Sequence, residues 1–345
     1  MATSTGAEAP SPALLAYCQG FARAEQLWPA LPLQPAPELS WWHELIGTAE
    51  GGVLRGLPLL RALEAVLPQL RLPQVSGISG SELYKQAVLR GEQLSPEELA
   101  RAGPLPSWDQ PEALELAIHP HPSGAMPVLQ TSCRNDFVQL LRALAHRGEP
   151  FALADGVHAQ AVSGLIHWGL IERLGRSSRA TLTVLHVAPY GSVEARQVPT
   201  SLSDDAWLRA STALRLEHEL THIATKTLLG EMRLNLLDEL IADCMGMVAA
   251  IGRFDAALFG RCLGIDTANG DQPIANGRWL SYTRELSASE THQAIALVMQ
   301  RARELEAALF EQPLWLQNEQ AMARLQWLCQ QRIDQPITSL PATPH

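Results

Sequence analysis

Apolar residues recur at helical spacing over two neighbouring segments in the second half of the chain. The segment from Trp207 to Leu229 contains neither proline nor glycine, and Gly230 follows it as a helix-ending signal. The next apolar residues again lie three or four positions apart, at Leu234, Leu237, Leu240, Ile241, Cys244, Met245 and Val248. This pattern predicts two consecutive helices joined by a short loop.

A period of two, with several β-branched residues, runs from Thr181 to Val187 and predicts the clearest β-strand of the chain. Shorter strands are predicted at Leu114–Ile118, Val128–Leu129 and Phe151–Ala154. Further helices are predicted over much of 11–100 on either side of the proline-rich linker Pro29–Pro37, and at Asn135–His146, Val157–Leu174, Ala288–Phe310 and Asn318–Arg332. The fold class expected from these elements is α+β and predominantly helical.

The proline-rich stretch between Gly103 and Pro127 suggests a domain boundary. We therefore expect a disordered start at 1–10, a helical N-terminal region at 11–124, a mixed domain at 125–334 and a flexible tail at 335–345. The N-terminal region is expected to cover the mixed domain, because its many apolar residues need a partner surface.

Composition narrows the classes of function. The 345-residue chain has a net charge of −10 and no basic cluster, which argues against a nucleic-acid partner. Its five cysteines are scattered, as expected for free thiols in a reducing compartment. Neither a signal-peptide pattern nor a run of 18 apolar residues occurs, so we expect a cytoplasmic protein without a membrane partner. Only two lysines stand among 26 basic residues, a bias typical of a bacterial genome rich in G and C.

The first predicted helix of the pair contains His218-Glu219-Leu220-Thr221-His222. Residues four apart on a helix share one face, so both imidazoles can reach a single metal ion while the Glu219 carboxylate stays free to act as a base. A third protein ligand would leave one coordination position open for water. Glu239 is the best candidate for that ligand, because it lies on the second helix of the pair, which is acidic.

At these residues, over about 205–250, the chain resembles the gluzincin metallopeptidases, the thermolysin-like group. Their pattern is His-Glu-x-x-His on one helix and Glu-x-x-x-Asp on the next. The resemblance implies His218, His222 and Glu239 as zinc ligands, Glu219 as general base and Asp243 as partner of a ligand histidine. The gap between His222 and Glu239 is shorter than in thermolysin-like enzymes, which leaves Asp238 or Asp243 open as the third ligand.

The resemblance also implies a zincin-like core in residues 125–334: a strand, the helix with the two histidines and the acidic helix. The strand before the metal-binding helix is then expected to be an edge strand that pairs with an extended substrate. The N-terminal helical region would cover one side of the metal cleft. The substrate would be a peptide or a small-molecule amide, and the oligomeric state is left open.

A metal-dependent hydrolase needs hydrogen-bond donors that stabilise the oxyanion, and the candidates lie after the second predicted helix. Arg278, Tyr282 and Arg284 lie close together there, and residues 276–292 are expected to form part of the wall of an enclosed pocket. We assign catalytic roles to Arg278 and Tyr282 beside Glu219.

Three alternatives remain at this point. Two histidines and a carboxylate also form the facial triad of non-haem Fe(II) oxygenases, for which Arg278 or Arg284 would bind an oxo-acid co-substrate. The chain could instead be a catalytically silent binding protein with a zincin fold. The two histidines could also form a polar seam between packed helices without any metal. No phosphate-binding loop, dinucleotide fingerprint or Gly-x-Ser-x-Gly elbow occurs in the sequence.

Overall fold

The computed structural model describes residues 10–199 and 201–341, and these residues form a mixed α+β fold. The helices are, in chain order, α1 (Pro12–Tyr17), α2 (Leu39–Ile46), α3 (Gly56–Val66), α4 (Glu82–Tyr84), α5 (Pro96–Ala102), α6 (Arg134–Leu144), α7 (Trp168–Leu174), α8 (Asp204–Leu229), α9 (Leu236–Ile251), α10 (Ala256–Leu263), α11 (Trp279–Tyr282), α12 (Ala288–Glu311) and α13 (Ala321–Cys329). The strands are β1 (Val53–Arg55), β2 (Glu115–His119), β3 (Met126–Thr131), β4 (Ala159–Leu165), β5 (Ala180–His186), β6 (Ile265–Asp266) and β7 (Gln272–Pro273).

These elements divide into two compact units. Ala30–Ala188 form one, here called the sheet unit, and the residues up to Pro29 and from Pro189 onward form the other, here called the helical unit. In the part of the chain that the structure describes, every helix is too short or too polar to span a bilayer.

The sheet unit is built on a five-stranded mixed sheet with the strand order β1-β2-β3-β5-β4. The strands β3 and β5 are parallel, with Val128 opposite Thr183, and the other neighbours are antiparallel. The core combines apolar side chains of the sheet with those of α2, α3 and α6, among them Trp42, Leu63, Leu129, Phe137, Leu140, Leu182 and Val184.

Two sequence predictions in this unit are wrong. The helix predicted at 157–174 is the strand β4 followed by α7, and Phe151–Ala154 contains no strand. Pairing with a neighbouring strand outweighs the local helical spacing: Ala161 lies opposite Thr183 of β5, and Val162 and Leu165 contribute to the core. Gly164 further weakens a helix at this point.

Two larger expectations also change. The strand β5 is bonded to β3 on one side and to β4 on the other, so it is an interior strand and offers no edge to a substrate. The predicted boundary near residue 124 falls between β2 and β3, which are paired along their length, and the sheet unit therefore continues to residue 188. The strand and the two histidines consequently lie in different units.

The helical unit is organised around α8 and α9, which pack against each other. Ser203 caps the start of α8 by accepting a hydrogen bond from the amide of Ala206, and Gly230 ends α8 as predicted, in the left-handed conformation. Asn235 caps α9 in the same way. The helix α9 is buried nearly all round from Leu236 to Val248, because α12 and α13 also pack against it.

Both ends of the described chain belong to this unit. The Tyr17 hydroxyl, at the end of α1, accepts a hydrogen bond from the amide of Leu236 at 3.0 Å and donates one to the carbonyl of Tyr282 at 3.1 Å. Of the N-terminal region predicted to cover the metal-binding domain, only residues up to Pro29 belong to this unit.

The segment 335–341 has no helix or strand, yet the indole of Trp315 donates to the carbonyl of Pro341 and Leu340 is buried. This differs from the flexible tail that the sequence predicts. The predicted disordered start, apart from residue 10, and the final residues 342–345 lie outside the described residues.

Candidate metal centre

His218, His222 and Glu239 converge at the interface of α8 and α9. One potential ligand atom from each residue lies within 4.8 Å of the other two, and all three side chains are buried. Nε2 of His218 and Nε2 of His222 are 3.0 Å apart. Glu239 Oε1 lies 3.4 Å from His222 Nε2, and Glu239 Oε2 lies 3.7 Å from His218 Nε2. These three residues could hold a metal ion.

The antiparallel course of the two helices produces this convergence. Leu214 contacts Gly246, His218 contacts Asp243 and His222 contacts Glu239, so the numbering falls along α9 as it rises along α8. At the first of these contacts, a β-carbon on Gly246 would lie 2.7 Å from the carbonyl oxygen of Leu214. Glycine at this position therefore permits the close approach of the two backbones.

The other two carboxylates of α9 lie on the opposite side of the imidazoles. Asp243 Oδ1 is 2.7 Å from Nδ1 of His218, and Asp238 Oδ2 is 3.4 Å from Nδ1 of His222. Glu239 alone among the three acidic side chains faces the Nε2 atoms. Among the three candidates for the third ligand, the structure thus brings Glu239 to the histidine pair on the side where their lone pairs meet.

These contacts favour a proton on Nδ1, through a hydrogen bond to Asp243 for His218 and through the carboxylate of Asp238 at 3.4 Å for His222. A carboxylate beside Nδ1 favours a proton on that nitrogen and leaves a lone pair on Nε2. The two Nε2 atoms, 3.0 Å apart, and one carboxylate then face each other in a buried space, and with a lone pair on each nitrogen they repel unless a proton or a metal cation lies between them. A tetrahedral zinc ion with bonds of about 2.0–2.1 Å separates its ligand atoms by about 3.3 Å. The two Nε2 atoms, 3.0 Å apart, and Glu239 Oε1, 3.4 Å from Nε2 of His222, lie close to this separation, and Glu239 Oε2 is 3.7 Å from Nε2 of His218.

The charges around the histidines lead to the same conclusion. Asp238, Glu239 and Asp243 are at most 2% exposed. One guanidinium, that of Arg278, lies 3.0 Å from Glu239 Oε2. With neutral histidines, this group of residues keeps an excess of two negative charges, and buried charges are costly unless they are compensated. A divalent cation would supply the missing compensation.

The charges of the cluster also shift the pKa values of Glu239 and His222. Burial by itself would raise the pKa of Glu239, but the histidines and Arg278 outweigh it and lower that pKa to about 2. Burial would likewise lower the pKa of His222, and the carboxylates of Asp238 and Glu239 reverse the effect and raise it. In the absence of a metal, a proton on a histidine would take the place of the cation.

Glu219, the predicted base, follows His218 on α8 and is half-buried. Within residues 10–199 and 201–341, no side chain or backbone amide donates a hydrogen bond to its carboxylate. The nearby positive charge is that of Arg215, one turn earlier, whose pKa burial lowers to about 10 while Glu219 acts in the opposite direction. Its carboxylate is therefore available to accept a proton.

Of the three hydrogen-bond donors predicted after α9, the structure places two beside the cluster and leaves one exposed. The guanidinium of Arg278 donates to Glu239 at 3.0 Å and to the hydroxyl of Tyr282 at 3.3 Å, so both residues lie beside the cluster. Burial raises the pKa of Tyr282, and its hydroxyl stays protonated. Arg284 is exposed and makes none of these contacts.

The sequence analysis did not identify Tyr190, which also contacts the cluster. The buried hydroxyl of Tyr190 donates a hydrogen bond to Asp243 Oδ1 and lies 3.0 Å from Nδ1 of His218. Tyr190 precedes α8 by a loop, so no helical spacing connects it with the histidines. Arg278 lies over its ring, 5.1 Å from the centroid. The only local signal in the sequence is the turn pair Pro189 and Gly191 around it.

The chain matches the model of a family of unknown function, DUF7005, over residues 7–182 and 176–337. These matches cover nearly the whole chain, so the chain belongs to this family. No curated protein and no solved structure matches it. The resemblance to metallopeptidases consequently rests on the residues of α8 and α9.

Proposed function

We propose that the protein is a metal-dependent hydrolase that cleaves an amide or peptide bond, with His218, His222 and Glu239 as ligands of a zinc ion. The observation that carries the proposal is the buried cluster of two Nε2 atoms and one carboxylate. The zincin-like feature in this proposal is the helix pair α8 and α9.

When bound, the zinc ion supplies an acidified water and a positive charge for the scissile carbonyl. The protein's residues then carry the proton. Glu219, whose carboxylate has no hydrogen-bond donor in the described chain, accepts the proton of the water and delivers it to the nitrogen of the leaving amine. The hydroxyl of Tyr282 and the guanidinium of Arg278 donate hydrogen bonds to the oxyanion that develops on the carbonyl oxygen.

The remaining contacts orient the ligands. Asp243 and Tyr190 hold the ring of His218 with Nε2 toward the cluster. The carboxylate of Asp238 lies on the corresponding side of His222, 3.4 Å from its Nδ1. Arg278 positions the carboxylate of Glu239. An Fe(II) oxygenase would use the same ligands but would leave the free Glu219 without a role.

The test compares wild type with Glu219→Gln in metal content and in hydrolysis of a mixture of short synthetic peptides. Glu285→Gln removes an exposed carboxylate of the same unit and serves as the control. We expect all three proteins to bind zinc, and Glu219→Gln to lose hydrolysis by about 10²–10⁴-fold.

Loss of zinc from Glu219→Gln, or unchanged hydrolysis, would contradict the role of Glu219. Bound iron with consumption of an oxo-acid would favour the oxygenase. Bound zinc without hydrolysis of any peptide or amide would favour a silent binding protein.

A further inference from the structure

A polar cavity of about 210 Å³ lies in the sheet unit, beside the edge strand β4. Its walls are formed by residues 160–164 of β4, by the turn after α6 and by the end of α4. All of its lining residues belong to the sheet unit, so none of the proposed metal ligands takes part. The cavity is smaller than the range of about 300–1,000 Å³ that is common for drug-sized ligands, and it suits a small chemical group.

One hydrogen-bond donor of this cavity is nearly buried and has no partner. Tyr84, the last residue of α4, lines the cavity and is 4% exposed. Its hydroxyl has no hydrogen-bond partner among the described residues, yet it keeps accessible surface and can be reached by a ligand. Burial raises the pKa of Tyr84 to about 12, so the hydroxyl stays protonated and able to donate.

The charge of the cavity is positive. Among the described residues that line it, Arg147 carries the one charge and none is acidic. Arg147 is exposed in the turn after α6, and its guanidinium forms neither an ion pair nor a hydrogen bond with any residue of the described chain. Its charge acts to lower the pKa of Tyr84 against the effect of burial, so the guanidinium and the hydroxyl lie near each other. A positive cavity in a chain of net charge −10 favours an anionic ligand.

The strand β4 supplies further donors. It is the last strand of the sheet, so its outer edge has no partner strand and its backbone amides can donate to a ligand. A bulge interrupts its register between Val162 and Leu165, where Ser163 and Gly164 stand opposite Thr181 alone. Bulges re-aim side chains and are common beside binding sites. Ser163 is exposed in the cavity wall, and its hydroxyl has no partner within residues 10–199 and 201–341.

The two amide side chains of the wall are already engaged. Nε2 of Gln69 donates to the carbonyl of Ile166 at 3.2 Å, and the oxygen of this amide is fully buried. Gln160 forms a hydrogen bond with His146. The polar side chains left for a ligand are therefore one guanidinium and two hydroxyls, and all three can donate.

We propose that this cavity binds the phosphate group of a small molecule, with Arg147, Tyr84 and Ser163 as its hydrogen-bond donors. A guanidinium matches two phosphate oxygens with two parallel N–H groups. The three donors come from three elements, the turn after α6, α4 and β4, and so approach from different sides. A tetrahedral phosphate accepts hydrogen bonds from several sides, whereas a carboxylate accepts them near one plane. The site is independent of the proposed hydrolase activity.

Calorimetric titration of the full chain with inorganic phosphate tests the proposal, with chloride added to keep the ionic strength constant. We expect phosphate to bind about tenfold more tightly than acetate, because acetate leaves part of the donors unmatched. Phosphate binding should persist in His222→Ala, in which the metal centre is disrupted. A second titration with glycerol 3-phosphate distinguishes free phosphate from a phosphate monoester, since tighter binding of the monoester shows that the cavity also takes up its organic part.

Variants assign the binding to the cavity. Arg147→Gly removes the guanidinium and places glycine at a φ of 55°, so this variant should fold at least as stably as wild type. It should weaken phosphate binding by at least about tenfold. Tyr84→Phe removes only the hydroxyl and should weaken binding by about tenfold. Arg61→Gln, at an exposed position of α3, is the matched control and should bind phosphate as wild type does.

Absence of phosphate binding to wild type, or acetate bound as tightly as phosphate, would overturn the proposal. An unchanged affinity in Arg147→Gly or in folded Tyr84→Phe would do the same, as would an equal loss in Arg61→Gln. Phosphate binding that is lost in His222→Ala and kept in Arg147→Gly would belong to the metal centre and would also overturn it. Arg147→Gly keeps the test open if Tyr84→Phe fails to fold.

Discussion

Oδ1 of Asp243 lies 2.7 Å from Nδ1 of His218, one turn of α9 beyond the carboxylate that faces Nε2 of the same imidazole. The ring of His218 is thus held between two acidic residues of one helix. The first fixes the proton on Nδ1, and the second, Glu239, shares the metal-facing side.

Replacing Asp243 by Asn should weaken zinc binding by about 10- to 100-fold, because the ring of His218 loses the carboxylate that orients it and raises its basicity. Zinc affinity is measured by competition with a chromophoric chelator. Asp205→Asn, at an exposed position in the first turn of α8, is the matched control and should leave the affinity unchanged. Equal affinities of both variants would show that Asp243 does not support the ligand.

Gly246→Ala should destabilise the protein by about 1–3 kcal/mol, although alanine is the better helix former. The added β-carbon would meet the carbonyl oxygen of Leu214 at 2.7 Å and push α8 away from α9. The free energy of unfolding is measured by urea titration, together with the zinc content. Gly169→Ala in α7, where the nearest atom would be 3.5 Å away, should cost little or stabilise. A stabilising Gly246→Ala would refute the close contact.

Tyr282→Phe should lower turnover by about 10²–10³-fold, since the hydroxyl donates to the oxyanion. The zinc content should stay the same, because Arg278 still holds the carboxylate of Glu239 when the hydrogen bond from Tyr282 to it is lost. The rate and the metal content are measured on the same sample. An unaltered rate constant would remove Tyr282 from the mechanism.

The stability of the sheet unit should depend on pH through His167. Its pKa is about 4 in the folded protein and near the ordinary 6.5 in the unfolded chain. Between these values the unfolded chain binds more protons, so stability is present above pH 6.5 and is lost as the pH falls. By pH 5 wild type should lose about 2 kcal/mol more than His167→Asn does. Urea titrations at pH 7 and 5 measure this difference, and parallel losses in both proteins would contradict it.

The helix pair could be predicted because its signals are local. Spacing, the missing prolines and glycines, and the glycine after Leu229 all act within one or two turns of helix. The same local information placed Glu239 and Asp243 on one face of α9. Whether that face turns toward the histidines depends on how the helices pack, and Gly246, which permits the approach, became informative only when Leu214 was seen opposite it.

The sheet unit was harder to predict because its strands are defined by partners distant in sequence. β4 has a helical pattern of apolar residues and becomes a strand through pairing with β5. Tyr190 could not be found for a similar reason, since its contact with His218 crosses 28 residues of chain without a repeating pattern.

The metal content of the purified full chain, measured by mass spectrometry of the elements, tests the central claim most directly. We expect about one zinc ion per chain in wild type and in Glu219→Gln, and at least a tenfold lower content in His222→Ala and Glu239→Gln. Circular dichroism verifies that the variants are folded. A wild-type protein that binds no metal when zinc is supplied, or variants of His222 and Glu239 that retain the wild-type content, would contradict the assignment of His218, His222 and Glu239 as a metal centre.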